Sequence, residues 1–161
     1  MRKLILLITL VSFTLQAQNI TVASGKSFTI EKTGSVTMSG NFSNSGTFTL
    51  NSDSDEFSSI IIGGSVTGNI TYNRYVNSVG TDKWDLIGSP VSGQSINSFV
   101  TANSSTLATN GSTYAIGRYD NYGNKWINFT TAMLAGEIFF PVGMGFQMAT
   151  ISGGTLKFTG A

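Results

Sequence analysis

Phe28-Thr29-Ile30-Glu31-Lys32-Thr33-Gly34-Ser35-Val36-Thr37-Met38-Ser39-Gly40-Asn41-Phe42-Ser43-Asn44-Ser45-Gly46-Thr47-Phe48-Thr49-Leu50 decides the fold. Three triplets in it, Phe28-Thr29-Ile30, Val36-Thr37-Met38 and Phe48-Thr49-Leu50, place apolar side chains at i and i+2 with a threonine between. A period of two is the signature of a strand with one face buried and the other wet. The small residues between them, Thr33-Gly34, Ser39-Gly40-Asn41 and Ser43-Asn44-Ser45-Gly46, are turn formers. Phe28 to Val36 is 8 residues, and Val36 to Phe42 and Phe42 to Phe48 are 6 each. Strands this short and this frequent fit the rungs of a β-solenoid, in which each coil buries its apolar face against its neighbours. A meander of tight hairpins is the competing reading.

The same texture continues on both sides. Ile20-Thr21-Val22 precedes it; Ile60-Ile61-Ile62, Val66 and Ile70-Thr71-Tyr72 follow a break at Asn51 to Ser58 that reads as a loop. Residues 18–70 are therefore expected to form a short-strand, solenoid-like segment. From residue 71 the strands lengthen and carry larger side chains. The candidates are Ile70 to Val76, Trp84 to Gly88, Thr113 to Tyr119, Lys125 to Phe129, Glu137 to Phe140, Gly145 to Ala149 and Thr155 to Thr159. Their spacing predicts a β-sandwich-like domain over 71–161. Asp120-Asn121-Tyr122-Gly123-Asn124 is a hairpin turn between two aromatic-bearing strands. Gln94 to Asn103 is the helix candidate, with Ile96, Phe99 and Val100 at i, i+3 and i+4 and Ser95 placed to cap. Thr131 to Ala135 offers one more helical turn. The fold class is all-β: a short solenoid-like part followed by a sandwich, with one or two short helical turns. The chain stops just past its last strand candidate, which reads as part of something longer.

Composition agrees and narrows the chemistry. The 11 Phe, 5 Tyr and 2 Trp argue for a packed core and against a disordered linker. The chain has no cysteine, so no disulfide holds it, and a core must. It has no histidine, which removes Ser-His-Asp and Cys-His nucleophile systems and His- or Cys-ligated zinc. Arg2 and Lys3 followed by the apolar run Leu4 to Leu15 and by Leu15-Gln16-Ala17 read as a signal peptide, 1–17, cleaved after Ala17. The run is shorter than the ~20 apolar residues of a membrane-spanning helix. Cleavage removes two of the nine basic residues and leaves seven against eight acidic ones, a net charge of −1. No basic patch remains to drive nucleic-acid or anionic-membrane binding. The expected location is secreted or on the outer cell surface, with no membrane span after cleavage.

Ile70-Thr71-Tyr72-Asn73-Arg74-Tyr75-Val76, Trp84-Asp85-Leu86-Ile87-Gly88-Ser89-Pro90-Val91, Gly143-Met144-Gly145-Phe146 and Gly154-Thr155-Leu156-Lys157-Phe158-Thr159-Gly160 resemble the N-terminal region of large secreted surface proteins of the Bacteroidota. Gly46 to Ser54 joins the same pattern, and Trp-x-Leu-Ile-Gly-Ser-Pro is its most specific part. The resemblance implies export through the type IX secretion system and display or release as an adhesin-like or scaffold region. It transfers no catalytic residue.

Four groups of side chains are candidates for chemistry. Asp53, Asp55 and Glu56 could hold calcium, which takes several carboxylate and carbonyl oxygens; the plainer reading is a solvated loop with turn-capping aspartates. Tyr119, Asp120, Tyr122 and Trp126 bracket the hairpin turn. Exposed rings beside Asp and Asn would stack on sugar faces and hydrogen-bond hydroxyls, whereas buried rings would be cross-strand core. Asp82 and Asp85 flank Trp84, yet paired-carboxylate glycoside hydrolysis is too demanding geometrically to read from that turn. Trp84 itself is expected in the core, because Leu86 shares its face. Arg74, on the strand face of Tyr72 and Val76, suits a cation–π contact. The expected function is a non-catalytic cell-surface or secreted β module, adhesin-like or structural, with no cofactor beyond that candidate calcium and with an extracellular glycan or surface protein as partner. The alternative is a carbohydrate-binding accessory module of a polysaccharide-degrading protein.

Overall fold

The computed structural model describes residues 18–81, 84–136, 138–141 and 143–161. The expected leader, 1–17, lies outside the described residues. The protein is all-β, with one α-helix and two 3-10 turns among the described residues.

Residues 20–76 wind into three stacked coils. The first contributes β1 (Ile20–Val22), β2 (Ser27–Ile30) and β3 (Ser35–Met38); the second contributes β4 (Phe42–Asn44), β5 (Thr47–Asn51) and β6 (Ser59–Ile62); the third contributes β7 (Val66–Thr67) and β8 (Ile70–Val76). Every pairing among them is parallel and joins one coil to the next: β1 to β4 to β7, β2 to β5 to β8, and β3 to β6. This is the solenoid, three-sided. The 6-to-8-residue spacing of the apolar runs is the step from one side to the next. The stacking period is longer: Phe28 pairs with Phe48, Leu50 with Tyr72 and Val36 with Ile60, so successive coils lie 20, 22 and 24 residues apart.

Register brings like side chains into columns. Ile30, Leu50 and Tyr72 share one, and Phe28 stacks on Phe48 with ring centres 5.2 Å apart. Phe42 meets Phe48 edge-on at 4.9 Å. Val22, Ile30, Met38, Phe42, Phe48 and Leu50 fill the space between the three sides, and Phe28 stays exposed on the outside of Phe48. A fully buried Phe or Leu contributes about 1.5–3 kcal/mol, so this narrow core carries the coil stack. Polar columns run along the outside. Asn51 Nδ2 donates to Glu31 Oε2 at 3.0 Å, and Asn73 Nδ2 donates to Asn51 Oδ1 at 2.9 Å. At a corner, Asn41 N–H donates to Asn19 Oδ1 and Ser65 N–H donates to Asn41 Oδ1. These side chains satisfy corner amides that the ladders do not reach.

β8 has a second partner. Along all seven residues it pairs antiparallel with β14 (Gly154–Gly160), from Ile70–Gly160 to Val76–Gly154. The last rung of the solenoid is thus also an inner strand of the second half, and the boundary expected at 70/71 falls on a strand that serves both. The rest of that half is β9 (Asp85–Gly88), α1 (Ile96–Ala102), β10 (Thr109–Asn110), β11 (Thr113–Asp120), β12 (Lys125–Thr130) and β13 (Gly145–Met148). β11 pairs with β10, β12 and β13, and β13 pairs with β9, all antiparallel, giving a five-stranded sheet. It faces β8, β14 and α1 across a core of Val76, Ile87, Ile116, Phe129, Phe146, Met148, Leu156 and Phe158. Phe99 from α1 contacts Phe158 at 4.7 Å and Phe140 at 5.3 Å. α1 starts as its sequence predicts, with Ser95 Oγ accepting from Ser98 N–H. Within the expected strand Glu137 to Phe140, the described residues Ile138 to Phe140 form no strand. Glu137 lies outside the described residues, and Phe139 makes a single bridge to Ser95 before Pro141 removes a donor.

The outer edge of β14 is closed by side chains. Asn103 Oδ1 accepts from Lys157 N–H at 2.7 Å while its Nδ2 donates to Lys157 C=O at 3.0 Å. Gln94 Oε1 accepts from Thr159 N–H, and Ser92 and Ala161 exchange backbone bonds. An amide side chain here takes the place of a neighbouring strand, which keeps the edge from templating another chain.

Candidate functional site

The site lies on the outer face of the five-stranded sheet. Alternation along each strand decides which side chains stand there. In β12, Phe129 is buried, so Trp126 and Asn128 point outward; in β13, Phe146 and Met148 are buried and Gln147 points outward; in β9, Ile87 is buried and Leu86 points outward. Register then sets Asn128, Gly117, Gln147 and Leu86 in one rank across the four strands β12, β11, β13 and β9.

Gly117 forms the floor of this rank. A methyl group on it would sit 2.3 Å from Asn128 Oδ1 and 2.8 Å from Ile127 C=O. An isolated glycine inside a strand marks such a close approach. Above it Gln147 Nε2 donates to Asn128 Oδ1 at 2.6 Å. On one side of this amide pair stand Tyr119 and Trp126, a cross-strand pair meeting edge-on at 5.2 Å, with about two-fifths of each ring side chain exposed. On the other stands Trp84, half-buried over three buried alanines, Ala108, Ala115 and Ala149. Trp84, Leu86, Trp126, Asn128 and Gln147 together line a broad trough of about 520 Å³, within the usual size range of ligand sites.

Two expectations are corrected here. Leu86 is 70% exposed, so the face it shares with Trp84 is the solvent face and not the core. The strand could bury its other face because Asp85, which lies there with Ile87, has a partner: Asn77 donates its backbone N–H and its side-chain amide to the Asp85 carboxylate at 2.7–3.2 Å. Of the four hairpin residues, Tyr119 and Trp126 come together on the platform. Tyr122 is fully exposed at the turn and lines a neighbouring trough with Arg118, Asp120, Ile127 and Met144, which Tyr119 borders as well, while Asp120 Oδ1 accepts the Tyr122 N–H and shapes the turn. Trp84, Leu86, Asn128 and Gln147 are members the sequence reading did not select.

The acidic loop is organised around a cation that the chain supplies. Lys32 Nζ bonds Asp53 Oδ2 and lies 3.4 Å from Glu56 Oε2. Asp53 Oδ1 accepts the N–H groups of Asp55 and Glu56, and Ser54 Oγ donates to Asp55. The ammonium thus stands where calcium was expected, and among the described residues no group of three or more His, Cys, Asp or Glu could hold a metal ion. The bond from Lys32, then the two backbone N–H groups, hold the Asp53 carboxyl down at about 2 against an ordinary 3.8. A depressed carboxyl stabilises the folded loop at any pH above its ordinary value and loses that contribution as the pH falls through about 2. An NMR titration of the Asp53 carboxyl carbon should therefore show a midpoint near 2, and Lys32→Ala should move it up toward 3.8.

The other described carboxylates are also engaged: Glu31 by Asn51, Asp85 by Asn77, and Asp120 by its turn. Asp82, the expected companion of Asp85, lies outside the described residues. Arg74 makes the expected cation–π contact, its guanidinium 3.8 Å from the centre of the Phe57 ring. Among the described residues no helix is long and apolar enough to cross a membrane. No protein-family model, curated protein or solved structure matches the chain.

Proposed function

We propose that this chain is an exported, non-catalytic β module, secreted or held at the outer cell surface, that works as an adhesin-like part of a longer protein and holds glycans on its five-stranded sheet. The observation that carries this reading is the exposed platform of Tyr119, Trp126 and Trp84 around the Asn128–Gln147 amide pair. Aromatic faces offer the apolar, flat surface on which a sugar ring stacks, and amides match its hydroxyls. The trough is wide and shallow, which suits many weak contacts along a repeating ligand more than one deep site. Avidity over several copies would then supply retention. Carboxylates tied to lysine, asparagine and turn amides favour binding over hydrolysis, which needs two free ones facing each other across a cleft. The solenoid serves as a rigid stalk for this sheet. The signal-peptide pattern and the likeness to type IX secreted surface proteins support the export part of the proposal.

A glycan array tests it. The chain should bind a subset of glycans, and Trp126→Ala should lower that signal about tenfold, the order expected for losing one stacked ring. Trp126 is substantially exposed, so the variant should keep the wild-type circular dichroism spectrum. An empty array leaves the module a purely structural spacer, and a signal untouched by Trp126→Ala removes the aromatic platform as the site.

A further inference from the structure

We propose that the ligand of this face is a neutral polysaccharide chain lying across the strands, stacked on Trp126 and Tyr119 at one end and on Trp84 at the other, with Asn128 and Gln147 reading its hydroxyls between them. The inference rests on the glycan-binding reading and narrows it to a class of glycan, a direction and a minimum length.

Charge sets the class. The described residues lining the trough, Trp84, Leu86, Trp126, Asn128 and Gln147, carry none. The charged residues of the same strands are directed elsewhere. Asp85 lies on the opposite face under Asn77, Arg118 lines the other trough, the Asp120 carboxylate takes up the turn amide, and Lys125 stands opposite Asp120 at the turn. A uronate or sulfate laid on this trough would lose water and gain no cation from its described lining, and an unpaired, partly desolvated charge is expensive. A neutral sugar meets no such cost.

The amide pair sets the polar contact. Gln147 Nε2 gives one N–H to Asn128 Oδ1, which holds the two side chains together and leaves Asn128 Nδ2 as a donor and Gln147 Oε1 as an acceptor. A hydroxyl both donates and accepts, so two neighbouring hydroxyls of one ring complement this pair. Gly117 lets the Asn128 side chain lie low on the sheet, and the alanines do the same for Trp84, so that a flat ring can rest over the amides between the aromatic groups.

Span sets the direction and the length. Trp126 is on β12 and Trp84 precedes β9, three strand steps away through β11 and β13. Register also sets them four residues apart along the strands, because Trp126 stands level with Gly145 and Gly88; at about 4.8 Å per step and ~3.3 Å per residue the separation is an oblique span of roughly 19 Å, more than one pyranose ring covers. A monosaccharide engages one end only; an oligosaccharide long enough to bridge both engages two platforms and the amides together.

Affinity electrophoresis and calorimetry on the purified chain test this. The neutral probes are hydroxyethylcellulose, galactomannan and starch, the acidic ones carboxymethylcellulose, polygalacturonate and alginate. The neutral probe that binds best is then cut into oligosaccharides of rising length. At least one neutral polymer should retard the chain, with the acidic polymers inert. Affinity should rise at least tenfold between the monosaccharide and an oligosaccharide that bridges the trough. Trp84→Ala and Trp126→Ala should each cost about tenfold, and Gln147→Ala several-fold, all with unchanged circular dichroism. Tighter binding to an acidic polymer, no gain with length, or binding lost in Trp126→Ala but intact in Trp84→Ala overturns the inference while leaving the glycan-binding reading in place. No binding to any polymer, together with an empty glycan array, overturns both.

Discussion

Gly68→Ala is expected to destabilise the protein by about 3 kcal/mol. Gly68 turns the corner between β7 and β8 with φ +86°, in the left-handed region that costs a non-glycine residue about 1–2 kcal/mol. A methyl group added there would sit 1.9 Å from the carbonyl oxygen of Asn44, which belongs to the corner of the coil beneath. That carbonyl cannot withdraw without parting two coils whose ladders are in register on both sides of the corner. Forcing such a contact adds a further overpacking cost of about 1–3 kcal/mol. Gly25→Ala is the control, because Gly25 has φ +72° at a corner of the first coil but nothing within 4 Å of the added methyl. It should cost only the conformational share, about 1 kcal/mol. In urea unfolding the Gly68 variant should lose midpoint at unchanged slope, by at least twice as much as the Gly25 variant. Equal losses would mean that coil spacing at this corner is soft.

Asn103→Ala is expected to cost about 3 kcal/mol and to lower Tm by roughly 10 °C. Asn103 is 3% exposed and ends α1. Its side chain makes three bonds to two elements: Nδ2 to Phe99 C=O at 2.8 Å and to Lys157 C=O at 3.0 Å, and Oδ1 from Lys157 N–H at 2.7 Å. Truncation strands the Lys157 N–H and C=O at the margin of the larger core, while Phe99 C=O keeps the Asn103 backbone N–H, and each buried unsatisfied group costs about 1–3 kcal/mol. Asn103→Asp keeps the shape but turns an oxygen toward two carbonyls in place of the NH₂ group. At neutral pH it should be at least as damaging as alanine, and it should recover part of the loss on acidification, when the protonated carboxyl can again donate. A calorimetric scan of both variants at pH 7 and pH 4 separates this from simple loss of packing, which would show no such recovery.

Much of the fold can be read from the chain because its three coils repeat. Asn19-Ile20-Thr21 with Ser27-Phe28-Thr29-Ile30, Asn41-Phe42-Ser43 with Thr47-Phe48-Thr49-Leu50, and Ser65-Val66-Thr67 with Asn69-Ile70-Thr71-Tyr72 occupy matching places on successive coils. Counting distances between neighbouring apolar runs finds the sides of the solenoid; aligning these three segments finds its coils. The coil period also explains why Lys32 was missed as the partner of Asp53. The two are 21 residues apart, unrelated along the strand but adjacent between coils.

The trough is less legible. Alternation in Trp84-Asp85-Leu86-Ile87 defines two faces without saying which is inside, and hydropathy favours the wrong one. The decision rests with Asn77, eight residues upstream, which gives Asp85 its partner. Asn128 and Gln147 are 19 residues apart on strands that meet only through β11. The one local sign is Gly117 in the middle of an otherwise well-formed strand, where a glycine marks a close approach. Reading it needs the register of three strands, which no single segment contains.

The strand shared by the two halves has a consequence for how the molecule is assembled in time. Winding of residues 20–76 needs only near neighbours and can run to completion early. The free flank of β8 then has nothing to bond until residues 154–160 arrive, some 80 positions later in synthesis or translocation. Contacts so distant along the chain form slowly. In that interval the half-finished product presents a straight, seven-residue ribbon with open amides, ready to zip onto an identical unfinished neighbour. Truncation before Gly154 should make that interval permanent and promote association of copies through β8.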